Sequence, residues 1–178
     1  DRVEVKSLNK IKESSKSTNV ELAICLVKKI SMEIILQKAT ELGIAKIIPI
    51  ISERTEVKDL NLERAKKIVV EATEQSNQLN VPDIEEPQKL KDFINSLDSN
   101  TSLFFADINT EKKIDNKIIE KSKKISLLIG PEGDFSPNER EMILAKDNAI
   151  SFSISRNILR TETAVISALS LINYSLNL

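Results

Sequence analysis

The chain of 178 residues has no histidine and no tryptophan, one cysteine, one tyrosine and three glycines. Each shortage removes a class of chemistry. Without histidine there is no Ser-His-Asp or Cys-His arrangement, and one cysteine builds neither a common zinc site nor an internal disulfide. Cys25 lies in an apolar run, which predicts a buried, reduced thiol. No apolar stretch approaches a membrane span and no basic-apolar-small pattern marks a secretory leader, so the expected address is cytoplasmic. Neither sign of charge dominates: 26 Lys and Arg stand against 27 Asp and Glu, a net charge of −1 that gives no global pull on a polyanion. Chemistry must rest on carboxylates, arginine, lysine, hydroxyls or backbone, and nucleic-acid binding on a local basic face or another segment.

A hydrophobic content of 40% with 30% charged residues suits one well-buried domain. The first residue is Asp1, and residues 1–18 are mostly polar and charged, which reads as part of a longer protein. From Val20 onward, strand-like runs alternate with helical stripes. Val20 to Val27, Lys46 to Ile51, Thr101 to Ala106, Ile125 to Ile129 and Ala149 to Ile154 read as strands; Pro49 marks an edge or a strand end. Ser31 opens a helix carrying Met32, Ile35, Leu36, Ala39 and Leu42, closed by Gly43. Leu62, Ala65, Ile68, Val69 and Ala72 form the stripe of a second helix reaching Ser76, and a turn containing Pro82 follows. Pro87 is expected to start a helix bearing Leu90, Phe93, Ile94 and Leu97. Ile114 to Ser122, a helix from Ser136 and a last one from Thr161 to Leu176 complete an α/β pattern with a largely parallel sheet, whose ligands bind beyond the carboxyl ends of the strands.

Two segments concentrate the chemistry, each leaving a strand and entering a helix. Leu127 to Glu139 holds Gly130 and Gly133, where the backbone can turn tightly and approach a ligand, with Pro131 stiffening the bend. Ser136, Pro137 and Glu139 then form a capping-box helix start. In Ile154 to Ala164, Arg156 and Arg160 can hold phosphate or carboxylate, Thr161 can cap, and Glu162 suits the helix's positive end. Two such turns after two late strands point to one shared pocket.

These residues also carry a resemblance. Leu-Ile-Gly-Pro-Glu-Gly at 128–133 and Ile-Leu-Arg-Thr-Glu-Thr-Ala at 158–164 are similar to blocks of the RsmE family, the 16S ribosomal RNA uracil-N3 methyltransferases of the SPOUT class. Gln37 to Gly43, Ser52-Glu53-Arg54 and Glu71 to Ser76 resemble the family's other blocks, in its order. The resemblance implies an α/β SPOUT domain over 19–178: a parallel sheet with helices on both faces, a C-terminal trefoil knot binding S-adenosylmethionine, and a homodimer, for which the last helix offers Val165, Ala168, Leu169 and Ile172, part of that face also covering the sheet. Residues 1–18 would be the linker or tail of a missing N-terminal PUA-like barrel. The substrate implied is a uridine of 16S ribosomal RNA in the small ribosomal subunit; no metal and no membrane are implied.

By the family pattern, Leu128, Ile129, Gly130, Pro131, Gly133, Ile154, Ser155, Asn157, Ile158 and Leu159 would enclose the cofactor. Uracil N3 is mostly protonated at neutral pH, so a base must take its proton or a cation must hold the anion. Arg160 is the candidate cation and Glu162 or Glu132 the candidate acceptor, although Glu162 also suits a helix start and Glu132 a loop-ordering contact. Lys38, Arg54, Gln75 and Arg156 are candidates for the RNA side. The chain departs from the family pattern at Asp134 and Ser155, where glycine is usual, at Asn157, where arginine is usual, and at Gln78 and Asn80, where basic residues are usual. Lost positive charge bears on RNA affinity. Another SPOUT enzyme acting on ribose or transfer RNA, or a non-catalytic S-adenosylmethionine- or RNA-binding module, would share much of this pattern. A dinucleotide enzyme fits least, for want of Gly-x-Gly-x-x-Gly after the first strand.

Overall fold

The computed structural model describes Val3 and residues 19–177; the expected linker over 1–18 otherwise lies outside the described residues. Seven strands form one sheet: β1 (Val20–Cys25), β2 (Lys46–Ile51), β3 (Asp83–Ile84), β4 (Gln88–Lys89), β5 (Thr101–Ala106), β6 (Lys124–Ile129) and β7 (Ala149–Phe152). Their order is β3-β2-β1-β6-β5-β7, with β4 also against β2, and every pairing is parallel. Six helices accompany them: α1 (Lys29–Glu41), α2 (Leu62–Gln75), α3 (Leu90–Ser96), α4 (Asn116–Lys121), α5 (Pro137–Leu144) and α6 (Thr161–Leu176).

Period-two alternation sends successive side chains to opposite faces. Leu22 and Ile24 of β1, Phe104 of β5 and Leu127 of β6 join a core with α1, α2, α4 and α6, whereas Ala23, Cys25, Phe105 and Leu128 join a second core with α3 and α5. Both faces are therefore covered, as an all-parallel sheet requires. Phe104 meets Phe152 edge-on at 6.2 Å in the first core, and Phe105 meets Phe135 at 5.5 Å in the second. Contacts of this kind add about 0.5–1.5 kcal/mol to the area buried.

Local signals set several boundaries. Gly43, at φ 78°, ends α1 where a side chain would be strained. The carboxamide oxygen of Asn61 accepts from the backbone N–H of Arg64 at the start of α2, and Ser136 with Glu139 completes the expected capping box of α5. Gln78, at a position usually basic in the family, donates its amide to the carbonyls of Thr40 and Glu41 and so closes the end of α1.

Four expectations change. Pro87 does not open a helix: Gln88 and Lys89 pair with Ile50 and Ile51 as β4, and α3 begins at Leu90. Pro49 lies one strand in from the edge. The carbonyl of Ile47 accepts outward from Glu85 and that of Ile50 inward from Leu26, so alternation turns Pro49's missing donor outward, into the gap between β3 and β4. The last strand ends at Phe152, because residues 153–160 turn away toward α6. Val165, Ala168, Leu169 and Ile172, expected to help cover a twin molecule, are wholly buried within the chain itself.

Candidate functional site

Four adjacent strands, β1, β6, β5 and β7, end at the same edge of the sheet, and the loops that follow them enclose a cavity of about 990 Å³. This is the crevice expected beyond the carboxyl ends of parallel strands. Ile129, Gly130, Pro131 and Glu132 contribute from the first motif; Ile154, Ser155, Asn157, Ile158, Leu159, Arg160 and Glu162 contribute from the second. The two turns singled out from sequence therefore share one pocket.

The first turn is built by folding back on itself. Asp134 donates its backbone N–H to the Pro131 carbonyl at 3.0 Å and takes φ 59°, a left-handed conformation that Asp tolerates better than most residues. Phe135 then tucks its ring into the second core, so close to Gly130 that a β-carbon there would lie 3.0 Å from a ring carbon. Gly130 is thus demanded by close approach. Gly133 is not: a β-carbon there would sit 3.8 Å from Arg54, in ordinary contact, and the residue does not line the cavity. Leu128 also stays outside the lining, with its side chain buried in the second core.

The second turn is held by serines. The hydroxyl of Ser153 donates to the Ser155 carbonyl at 3.1 Å, and the hydroxyl oxygen of Ser155 accepts from the Asn157 N–H at 3.0 Å. Ser155 is not among the positive-φ residues, so serine replaces the usual glycine without backbone strain.

Sequence reading missed about a third of the wall. Lys28, Lys29, Ile30, Ser31 and Ile34 follow β1, while Ala106 ends β5 and Asp107 and Ile108 follow it. Their signal was topological, since strands neighbouring β6 in a parallel sheet must end beside it. Ile30, Ile108 and Ile158 are 77%, 61% and 85% exposed, and apolar groups gathered at one mouth mark a ligand site. Between the apolar walls, Asp107 is saturated. Arg140 grips both its oxygens, at 2.8 Å for Nη2 to Oδ2, and the Asn109 N–H donates to Oδ1 at 2.9 Å. The Asp107 carboxylate holds the Arg140 guanidinium firmly protonated. Asp134 accepts from the Asn109 amide at 3.2 Å. By contrast, Arg160, Glu132 and Glu162 face the cavity with no side-chain hydrogen bond or ion pair among the described residues.

The lining combines exposed isoleucines, which suit an aromatic base, with the cations of Lys28, Lys29 and Arg160 and the carboxylates of Glu132 and Glu162, which suit charged groups of a ligand or a proton in transfer. Among the described residues, no group of three or more metal-binding side chains gathers. The other candidates lie apart. Lys38 is paired with Glu41 at 2.9 Å, Gln75 is exposed at the end of α2, and Arg156 is exposed in the second turn without lining the cavity. Arg54 binds the first turn from outside, donating to the carbonyls of Gly133 and Phe135.

Residues 13–173 match the model of a family described as an RNA methyltransferase domain. The chain is 34% identical over 171 residues to ribosomal RNA small subunit methyltransferase E of Rickettsia conorii, covering 93% of this chain and 68% of that protein. With the protein of the same name from Aquifex aeolicus the figures are 34% over 148 residues, 80% and 62%. The chain thus spans about two thirds of such relatives' length. Among solved structures, that of ribosomal RNA small subunit methyltransferase E from Neisseria gonorrhoeae, bound to S-adenosyl methionine, superposes with TM-score 0.82 at 29% identity, over 88% of this chain and 65% of that one. A methyltransferase from Legionella pneumophila, also in complex with S-adenosyl methionine, gives 0.79 at 30% identity, over 88% and 66%.

Proposed function

The chain belongs to the RNA methyltransferase family, among proteins of the ribosomal RNA small subunit methyltransferase E type, and from that premise we propose that it methylates N3 of a uridine in 16S ribosomal RNA of the small subunit, using S-adenosylmethionine. The observation that carries this reading is the convergence of the two turns on one cavity, with Arg160, Glu132 and Glu162 turned toward it and unpaired among the described residues.

Bound there, S-adenosylmethionine would supply an already activated methyl group. The chain's own tasks are then alignment and charge. Ile129, Gly130 and Pro131, with Ile154, Ser155, Asn157, Ile158 and Leu159, hold the adenosine end against apolar surface and backbone. Arg160, with its permanent charge, stabilises the uracil anion at its oxygens, and Glu162 or Glu132 receives the N3 proton. Among the described residues, neither glutamate has a competing hydrogen bond.

The same reading makes the molecule a homodimer acting in the cytoplasm, its C-terminal segment threaded as a trefoil knot. Support for pairing comes from apolar side chains left exposed on two packed helices, Ile30 and Ile34 of α1 with Leu171 and Tyr174 of α6. No described helix is long and apolar enough to cross a membrane. Calorimetric titration of S-adenosylmethionine, followed by transfer of its labelled methyl group to unmodified small subunits, tests the proposal. Binding and transfer together support it; binding without transfer leaves a cofactor-binding module in its place.

A further inference from the structure

Glu139 is only 7% exposed, yet it does more than cap its own helix. One carboxylate oxygen accepts from the Ser136 N–H at 3.0 Å, and the other accepts from the Glu53 N–H at 2.8 Å, in the loop between β2 and α2. That loop is a tight turn in which the Thr55 hydroxyl oxygen accepts from the Ser52 N–H at 2.9 Å and the Thr55 N–H returns to the Ser52 carbonyl. Rigidity there fixes Arg54. Its Nη1 donates to the Gly133 carbonyl at 2.9 Å and reaches the Phe135 carbonyl at 3.4 Å.

A buried acid and an arginine thus join the β2–α2 loop to the turn that walls the cavity, through backbone groups on both sides. We propose that Arg54 and Glu139 are positioning residues for the cofactor: they hold the Gly130–Ser136 backbone in its binding shape before any ligand arrives. This rests on the methyltransferase reading and assigns Arg54 to the cofactor side of the reaction rather than to RNA. Its guanidinium points into the protein's own loop, and the residue does not line the cavity. Prepaid order of this kind raises affinity by sparing the ligand the cost of ordering the loop.

Four measurements on Arg54→Ala, Arg54→Lys and Glu139→Gln test the assignment. In the unliganded protein, hydrogen exchange at the amides of residues 133–136 should quicken in Arg54→Ala. S-adenosylmethionine affinity by calorimetry should fall about tenfold, the loss expected for a charge-assisted hydrogen bond or two. Saturating S-adenosylmethionine should restore most of the turnover on small subunits, raising KM more than it lowers kcat. Arg54→Lys should recover part of the affinity, since one donor can still reach one carbonyl. Glu139→Gln should lose more, because its NH₂ would face a backbone N–H donor; should that variant fail to fold, the exposed Arg54 still decides. The salt dependence of binding to small subunits should be unchanged in Arg54→Ala. Unaltered cofactor affinity, or a salt slope lowered by about one phosphate contact, would overturn the proposal. If the unsubstituted chain bound no S-adenosylmethionine, the methyltransferase reading would fail instead, and slow exchange at 133–136 in Arg54→Ala would separately remove the clamp.

Discussion

Arg160 stands at the N-cap of α6 with its side chain unused by the helix, so its removal should separate chemistry from binding. Arg160→Ala is expected to slow single-turnover methylation by ~10²-fold or more while leaving S-adenosylmethionine affinity nearly intact. Arg160→Lys should restore little, because the planar fork is lost. Weakened cofactor binding with a near-normal saturated rate would make Arg160 a cofactor clamp. The two glycines of the first turn should behave unequally. Gly130→Val drives side-chain atoms into Phe135 and should abolish cofactor binding, whereas Gly133→Ala meets only ordinary contacts and should leave calorimetric affinity close to the original. Cys25 gives a pH prediction: burial pushes its thiol from 9.0 up to about 12. Between those values the unfolded chain loses the proton and the folded chain keeps it, so stability is full below pH 9 and declines as pH rises toward 12. Cys25→Ala should flatten that alkaline decline in denaturant unfolding; an unchanged slope would refute burial of the thiol as its cause.

At the scale of elements, α5 aligns one wall of the cavity through its start and its body. Ser136→Ala removes the cap and should cost about 1 kcal/mol in urea unfolding. Arg140→Ala leaves Asp107 buried without its partner and should cost about 3 kcal/mol, with the loop after β5 loosened as well. The two effects show where sequence reading works. The capping box is local, spacing three residues along one turn, and was legible; so was each strand-to-helix alternation, because burial on both faces writes continuous apolar runs. The Arg140–Asp107 and Glu139–Glu53 contacts join positions 33 and 86 apart, and nothing in either neighbourhood announces the other. The dipeptide strands β3 and β4 escaped for a similar reason: two residues carry no period, and only their pairing with β2 defines them. The cavity was legible for the larger part, through its glycine and arginine turns, while Lys28 to Ser31 with Ile34, and Ala106 to Ile108, enter it only through strand order.

For the whole molecule, the sheet supplies a rigid edge, the loops after four strands supply the pocket, and the chain's near-neutral charge leaves RNA affinity to local groups or to a further segment. Exposed Ile30, Ile34, Leu171 and Tyr174 predict a dimer by sedimentation at micromolar concentration. Leu171→Glu with Tyr174→Glu should yield monomers; monomers from the unsubstituted chain would remove pairing from the account. The central claim is the site of methylation. Small subunits lacking the modification, incubated with the protein and methyl-labelled S-adenosylmethionine, then digested to nucleosides and separated, should carry the label as 3-methyluridine from 16S ribosomal RNA. Label on a ribose, on another base or on transfer RNA would contradict it.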